Sequence, residues 1–204
     1  MIKLYHLNKS RSLRIMWLLE EIGQPYELCA YHRNRETFLA PDALKDIHPL
    51  GKAPMLEIDG HLITESAAIV EVLCQRFAPH MLPDASDEAA SLAHLQLMHF
   101  AEGSAMTPLL LGIYTSRLGE AAAPLHPRIQ SETQSHFAYM ESLIRPSGHF
   151  VLDQLSAVDV MMLFPAQAAI HRLGLAAAFP KLAAFVGSIE AREAFQKAAL
   201  RDEG

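Results

Sequence analysis

Three short pieces of the chain hold side chains whose type and spacing could do chemistry. Lys9-Ser10-Arg11-Ser12 sets two hydroxyls among cations, just ahead of a run with helical apolar spacing. Gly51-Lys52-Ala53-Pro54-Met55-Leu56 reads as a loop that enters a short strand through a proline. Thr64-Glu65-Ser66-Ala67 reads as a turn that opens a helix. An X-Pro bond takes the cis form at small cost, so Ala53-Pro54 is a place where a cis bond is affordable. A helix N-terminus leaves orphan amides that favour an anion. The second and third pieces together offer a bare backbone edge and a helix N-terminus, a pair suited to a small peptide that carries a carboxylate. The first offers an anion a hydroxyl, a helix start and nearby positive charge.

The elements that must position these pieces change character along the chain. Ile2 to Leu7 reads as a strand, Ser12 to Ile22 as a helix stopped by Gly23, and Tyr26 to Tyr31 as a second strand. A helix-like run follows from about Thr37 to Ile47. Met55 to Ile58 and His61 to Ile63 flank Asp59-Gly60 as a hairpin, and Glu65 to Phe77 is helical. The order β-α-β-α-β-β-α is thioredoxin-like. Beyond the prolines of Ala78-Pro79-His80-Met81-Leu82-Pro83-Asp84 the pattern is helical only. It runs from Glu88 to about Leu118 with a bend expected near Gly103 or Pro108, then Arg128 to Ile144, Ala157 to Leu173 stopped by Gly174, Lys181 to Ile189 and Arg192 to Leu200. The expected division is an α/β domain over residues 1–78, a linker over 79–86 and an all-α domain over 87–204. Ser156-Ala157-Val158-Asp159 is a capping box, with Leu155 and Val160 placed as a hydrophobic staple.

Composition bounds the function. The 204 residues are half hydrophobic and one-fifth charged, ordinary for a soluble globular protein. A formal charge of −6 argues against a general nucleic-acid binder. No apolar run is long enough to span a bilayer, and the strand-like start is unlike a signal peptide. Cys29 and Cys74 form no CxxC and no disulfide framework, which fits a reducing cytoplasm. The 11 histidines show no ligand spacing, so no metal is expected.

On His48-Pro49-Leu50-Gly51-Lys52-Ala53-Pro54, Glu65-Ser66 and Leu155-Ser156-Ala157-Val158-Asp159, the chain resembles the cytosolic glutathione transferases over essentially its whole length. Leu7-Asn8-Lys9-Ser10-Arg11-Ser12-Leu13-Arg14 is similar to their bacterial and fungal serine-type, theta-like branch. The resemblance implies glutathione as co-substrate and a cis Pro54 that lets the Ala53 backbone pair with the cysteinyl part. It implies Ser66 and its helix amides on the γ-glutamyl carboxylate, Glu65 beside the amino group, and Lys52 near the glycyl carboxylate. Counting back from Arg14, Ser10 matches the serine that stabilises the thiolate; Ser12, two positions on, is the alternative, with Arg11 and backbone amides also open. The segment carries Lys-Ser-Arg-Ser where other branches carry a proline.

Each of these residues also has a plain structural role open to it: strand start for Pro54, helix cap for Ser10, Ser12, Thr64 or Ser66, solvated loop for Lys52. The electrophile pocket is expected from Phe100, Ser104, Met106, Thr107, Leu110 and Tyr114, a stripe equally suited to a core. Conjugation of glutathione to hydrophobic electrophiles, of the detoxification type, is the leading function, with a homodimer implied. Glutathione-dependent peroxide reduction, dehalogenation or isomerisation, and a non-catalytic glutathione-binding protein, are the alternatives.

Overall fold

The computed structural model describes residues 1–203, with side chains through 202. It contains two compact units. The first comprises Met1–His80 together with the stretch from Glu190 onward; the second is Met81–Ile189.

The first unit is built on a four-stranded sheet of β1 (Ile2–Leu7), β2 (Glu27–Tyr31), β3 (Met55–Ile58) and β4 (His61–Ile63), in the order β2-β1-β3-β4. β1 runs parallel to β2 and antiparallel to β3, and β3 to β4 is the expected hairpin. Helix α1 (Ser12–Glu21) crosses from β1 to β2, and α2 (Ser66–Phe77) follows β4. Ile15, Met16, Trp17, Leu18 and Leu19 are all fully buried. A helix buried on successive positions needs cover on more than one side.

That cover is α8 (Glu193–Glu203), which packs on α1. The sequence reading assigned this segment to the helical domain over 87–204, whereas it packs as part of the first unit. The reason is visible in its contacts. Phe195 meets Trp17 edge to face at 5.9 Å, Arg192 pairs with Glu21, and Arg201 bonds Glu20 and Tyr26.

Burial of the Glu21 carboxylate works to raise its pKa, but hydrogen bonds from Arg192 and Trp17 and the Arg192 charge outweigh it and hold the group below its usual range. A lowered folded-state pKa means this stabilisation is complete above the unfolded glutamate value of about 4.3. It fades as pH falls through the folded value. Glu21→Gln is therefore expected to cost about 1–2 kcal/mol near neutrality, between exposed and buried pairs. The difference from the parent should shrink in denaturant titrations as pH falls below the unfolded glutamate value, and be lost once pH is below the lowered folded one.

The run Thr37–Ile47 is not an α-helix; only a 3-10 turn forms, over Asp42–Asp46. Pro41 keeps the residue before it out of the helical region. Upstream, Asn34 captures the Glu36 and Thr37 amides with its side chain and the Phe38 amide with its carbonyl. Phe38 closes that turn at φ +60°.

The regular elements of the second unit are helical, with no strand among its described residues: α3 (Glu88–Phe100), α4 (Met106–Thr115), α5 (His126–Leu143), α6 (Ala157–Gln167) and α7 (Pro180–Glu190). The bend expected near Gly103 is a π turn over Ala101–Ala105. Ser156 and Asp159 form the capping box, and α6 is buried along nearly its whole length. A second π turn over Ala168–Arg172 leads to Gly174 at φ +66°.

Candidate functional site

Strand register brings the three chemically interesting pieces to one end of the sheet. The β1–β3 ladder ends at Tyr5–Met55, so continuing it sets Leu7 against Ala53. The β3–β4 ladder pairs Leu56 with Ile63, so continuing it sets Pro54 against Glu65. The loop after β1, the entrance to β3 and the start of α2 therefore leave the sheet together. The packing agrees, since Ala53 and Ile47 lie against a cluster of Tyr5, Leu7, Leu44 and Met55.

The Ala53–Pro54 bond is cis. Ala53 lies beyond the last paired residues and is half-buried, Pro54 is buried, and Lys52 is exposed. Gly51 turns the chain at φ +55°, where a Cβ would stand 2.8 Å from the Lys45 side chain. Glu65 is exposed and holds φ +69°, a conformation that non-glycine residues adopt at a cost and that clusters at functional sites. Ser66, 6% exposed, opens α2 with no side-chain cap in front of it. Its first-turn amides are thus left for an external acceptor.

Ser10 and Ser12 have different surroundings. Ser12 is fully buried and its Oγ is crowded: the Leu7 amide donates to it at 3.1 Å, the Leu7 carbonyl lies at 3.0 Å and His6 Nδ1 at 2.8 Å. Ser10 is 8% exposed, its Oγ accepts the Ser12 amide at 3.2 Å, and it lies 2.8 Å from Ser12 Oγ. Lys9, just before it, stands at φ +53° with its amide held by both carboxylate oxygens of Asp202, at 3.1 and 3.3 Å. Arg33 ties the same loop down through the Asn8, Lys9 and Phe38 carbonyls.

Sequence reading missed His6 and Asp202. A polar residue alternating into a buried strand face was the signal for His6. Nothing local marks Asp202, which reaches Lys9 across 193 positions. Arg14 is buried, and Lys45 pairs with Asp42.

The cysteines are poor nucleophiles. Cys74 is fully exposure-free in α2, and burial with the nearby Glu71 charge pushes its thiol up to about 12. Burial and a bond to Glu27 raise Cys29 as well. Tyr5 packs in the sheet and donates to Glu57 at 3.0 Å. Among the described residues no group of three His, Cys, Asp or Glu side chains is gathered as for a metal, and no helix is long and apolar enough to cross a membrane.

The stripe in the second unit is scattered in environment. Phe100 packs on Tyr139 and His136 at 5.3 and 5.8 Å between ring centroids. Ser104 and Leu110 are half-buried, Met106 is buried, Tyr114 is exposed, and exposed Thr107 donates to the Gly103 carbonyl at 2.8 Å.

Known proteins share both the sequence and the fold. The family described as glutathione S-transferase, N-terminal domain, matches residues 1–74. Glutathione S-transferase 3 of Schizosaccharomyces pombe is 34% identical over 183 residues, spanning 83% of this chain and 74% of that protein. Glutathione S-transferase 1 of Saccharomyces cerevisiae is 28% identical over 95% of this chain and 92% of its own length. A crystal structure of a glutathione S-transferase from Actinobacillus pleuropneumoniae superposes with a TM-score of 0.88 at 29% identity, covering 100% of this chain and 94% of that one. With a thioredoxin-like sheet, a cis proline at the strand entrance and this likeness over most of its length, the chain belongs to the glutathione S-transferase family and is an enzyme of that type.

Proposed function

We propose that this transferase, of the serine-type, theta-like branch, binds glutathione at the end of the sheet where Ala53, Glu65 and Ser66 meet the Ser10 loop. The Ala53 backbone takes the cysteinyl portion, Ser66 and the first amides of α2 take the γ-glutamyl carboxylate, Glu65 receives the amino group, and Lys52 stands by the glycyl carboxylate. Ser10 donates to the thiolate, and the sulfur attacks a small hydrophobic electrophile. The homodimer, the cytoplasmic setting and the detoxification role implied by the family resemblance belong to the same proposal, as does the electrophile pocket around Phe100, Ser104, Met106, Thr107, Leu110 and Tyr114.

One observation carries the reading: the two ladder registers bring the cis-proline entrance, the uncapped start of α2 and the Ser10 loop to the same sheet end. Between the two serines, burial favours Ser10, because Ser12 is fully enclosed and its oxygen is already engaged by the Leu7 amide. Calorimetry with glutathione and conjugation of a generic aryl halide test it, on the parent and on Ser10→Ala and Ser12→Ala. No glutathione binding would end the proposal.

Ser66→Ala removes a donor to a charged carboxylate, a bond of about 1.5–3 kcal/mol. Glutathione affinity is expected to weaken about 10- to 100-fold in the same calorimetry, with the fold intact by circular dichroism.

A further inference from the structure

We propose that His6 is the proton acceptor for the glutathione thiol, reached through Ser10 and Ser12, and that Asp202 on α8 is the carboxylate that positions His6 and balances its charge. The inference rests on the reading of Ser10 as the thiol's partner and supplies what that reading lacks, a base.

The atoms form a continuous chain. Ser10 Oγ is 2.8 Å from Ser12 Oγ, and Ser12 Oγ is 2.8 Å from His6 Nδ1. On the far side of the ring, Nε2 lies 3.3 Å from Asp202 Oδ1, in ion-pair range though not aligned as a hydrogen bond. His6 is 1% exposed and Ser12 fully buried, while Ser10 is 8% and the Asp202 side chain 12% exposed, so water reaches the chain only at its two ends.

Donor counting admits a proton order that runs from Ser10 to His6. A hydroxyl has one proton and two acceptor sites. Ser12 Oγ already accepts the Leu7 amide, and Ser10 Oγ already accepts the Ser12 amide. The Ser12 hydroxyl has two acceptors in reach, the Leu7 carbonyl at 3.0 Å and His6 Nδ1 at 2.8 Å. In the proposed order neutral His6 carries its proton on Nε2, Ser12 donates to the nearer Nδ1, and Ser10 donates to Ser12. Each hydroxyl is then left one acceptor site, filled in Ser12 by Ser10 and in Ser10 by the thiol. Ionisation moves one proton at each step. The S–H bond breaks and its proton passes to Ser10 Oγ, the Ser10 proton passes to Ser12, and the Ser12 proton passes to Nδ1. The products are a thiolate that accepts a hydrogen bond from Ser10 and an imidazolium beside Asp202. No electrons are exchanged with any other group, and the proton returns to solvent as product leaves.

The charged partner facing the His6 ring is Asp202. Of the charged groups on the elements packed beside it, Arg14 of α1 is buried, Glu20 of α1 pairs with Arg201 of α8, and Glu21 of α1 pairs with Arg192 just ahead of α8. In the loops lie Lys9, whose amide Asp202 holds, and Arg33, whose guanidinium feels the Asp202 charge.

The test counts protons rather than turnover. Glutathione binding is titrated near neutral pH in buffers of different ionisation enthalpy, with S-methylglutathione as the blank because it has no thiol proton. Thiolate is measured in parallel by its ultraviolet absorbance. In the parent, protons released per thiolate formed should fall well below one, because His6 keeps them. His6→Asn retains a polar group near the Nδ1 position but has no basic ring nitrogen. Asp202→Asn retains an acceptor for the Lys9 amide but no charge. Both should move the ratio to one and shift the thiolate pH profile to higher pH. A ratio of one in the parent, or an unchanged ratio in Asp202→Asn and in any folded His6→Asn, overturns the inference while leaving the Ser10 reading in place. Ser10→Ala with unaltered thiolate removes the Ser10 reading, and the relay with it.

Discussion

Ser10→Ala is expected to raise the pKa of the bound glutathione thiol by roughly 1–2 units, since a hydrogen bond to a charged group is worth about 1.5–3 kcal/mol and one unit is 1.36 kcal/mol. At neutral pH the conjugation rate, read as kcat/KM with an aryl halide, should fall about 10- to 100-fold with the thiolate fraction. Glutathione affinity should change much less, because the carboxylate contacts lie elsewhere. Ser10 is the one of the two serines with any exposure, but its loss leaves the buried Ser12 amide without its acceptor, so stability is measured beside the rate. Ser12→Ala is a different experiment. It strands the buried Leu7 amide and His6 Nδ1, and an unsatisfied buried group costs about 1–3 kcal/mol of stability. If Ser10→Ala conjugates at the parental rate with parental thiolate absorbance, the serine assignment is wrong and the thiol is activated by backbone groups.

The largest stability effect is expected at Asp159. Its carboxylate is fully buried and accepts the Ser156 amide at 2.7 Å, the Ser156 hydroxyl at 2.6 Å and the Phe150 amide at 3.1 Å. It therefore starts α6 and pins the preceding loop at once. Phe150 in turn meets Phe185 of α7 edge to face at 5.1 Å, so the loop is part of the core. Asp159→Ala abandons two buried amides and should cost about 3–5 kcal/mol. For a chain of this size that is a Tm drop of roughly 6–20 °C. Ser156→Ala removes only the cap and should cost about 1–2 kcal/mol. Equal losses for the two variants would mean that the Phe150 contact contributes nothing.

The parts of the fold legible in the sequence were those decided locally. Pro54 before an apolar run, Asp59-Gly60 between short strands and Ser156 three residues ahead of Asp159 are signals contained in a few positions. Each corresponds to the element expected there. Thr37–Ile47 misled because apolar spacing ignores Asn34, which turns the chain just upstream, and Pro41, which forbids continuation. The fate of the last helix was illegible for another reason. Its period was plain, but the surface it covers, Trp17 and Glu21, sits more than 170 positions earlier. The same holds for the site: Ser10, Ala53 and Ser66 announce themselves by neighbours, whereas His6 and Asp202 acquire meaning only when α8 lands on α1.

That landing has a consequence for how the protein is made. The first unit is discontinuous, with all of Met81–Ile189 translated between its sheet and its last helix. Domains commonly fold in the order they leave the ribosome. Here the later, uninterrupted segment can finish first, while the earlier one waits with the far face of α1 uncovered. Nascent chains halted before Glu193 should hold the Ser10 loop without its Asp202 anchor and display the Trp17 side of α1 to chaperones. The same logic sets where the gene can be cut: a fragment ending near His80 holds every strand of the sheet yet lacks the helix that covers α1.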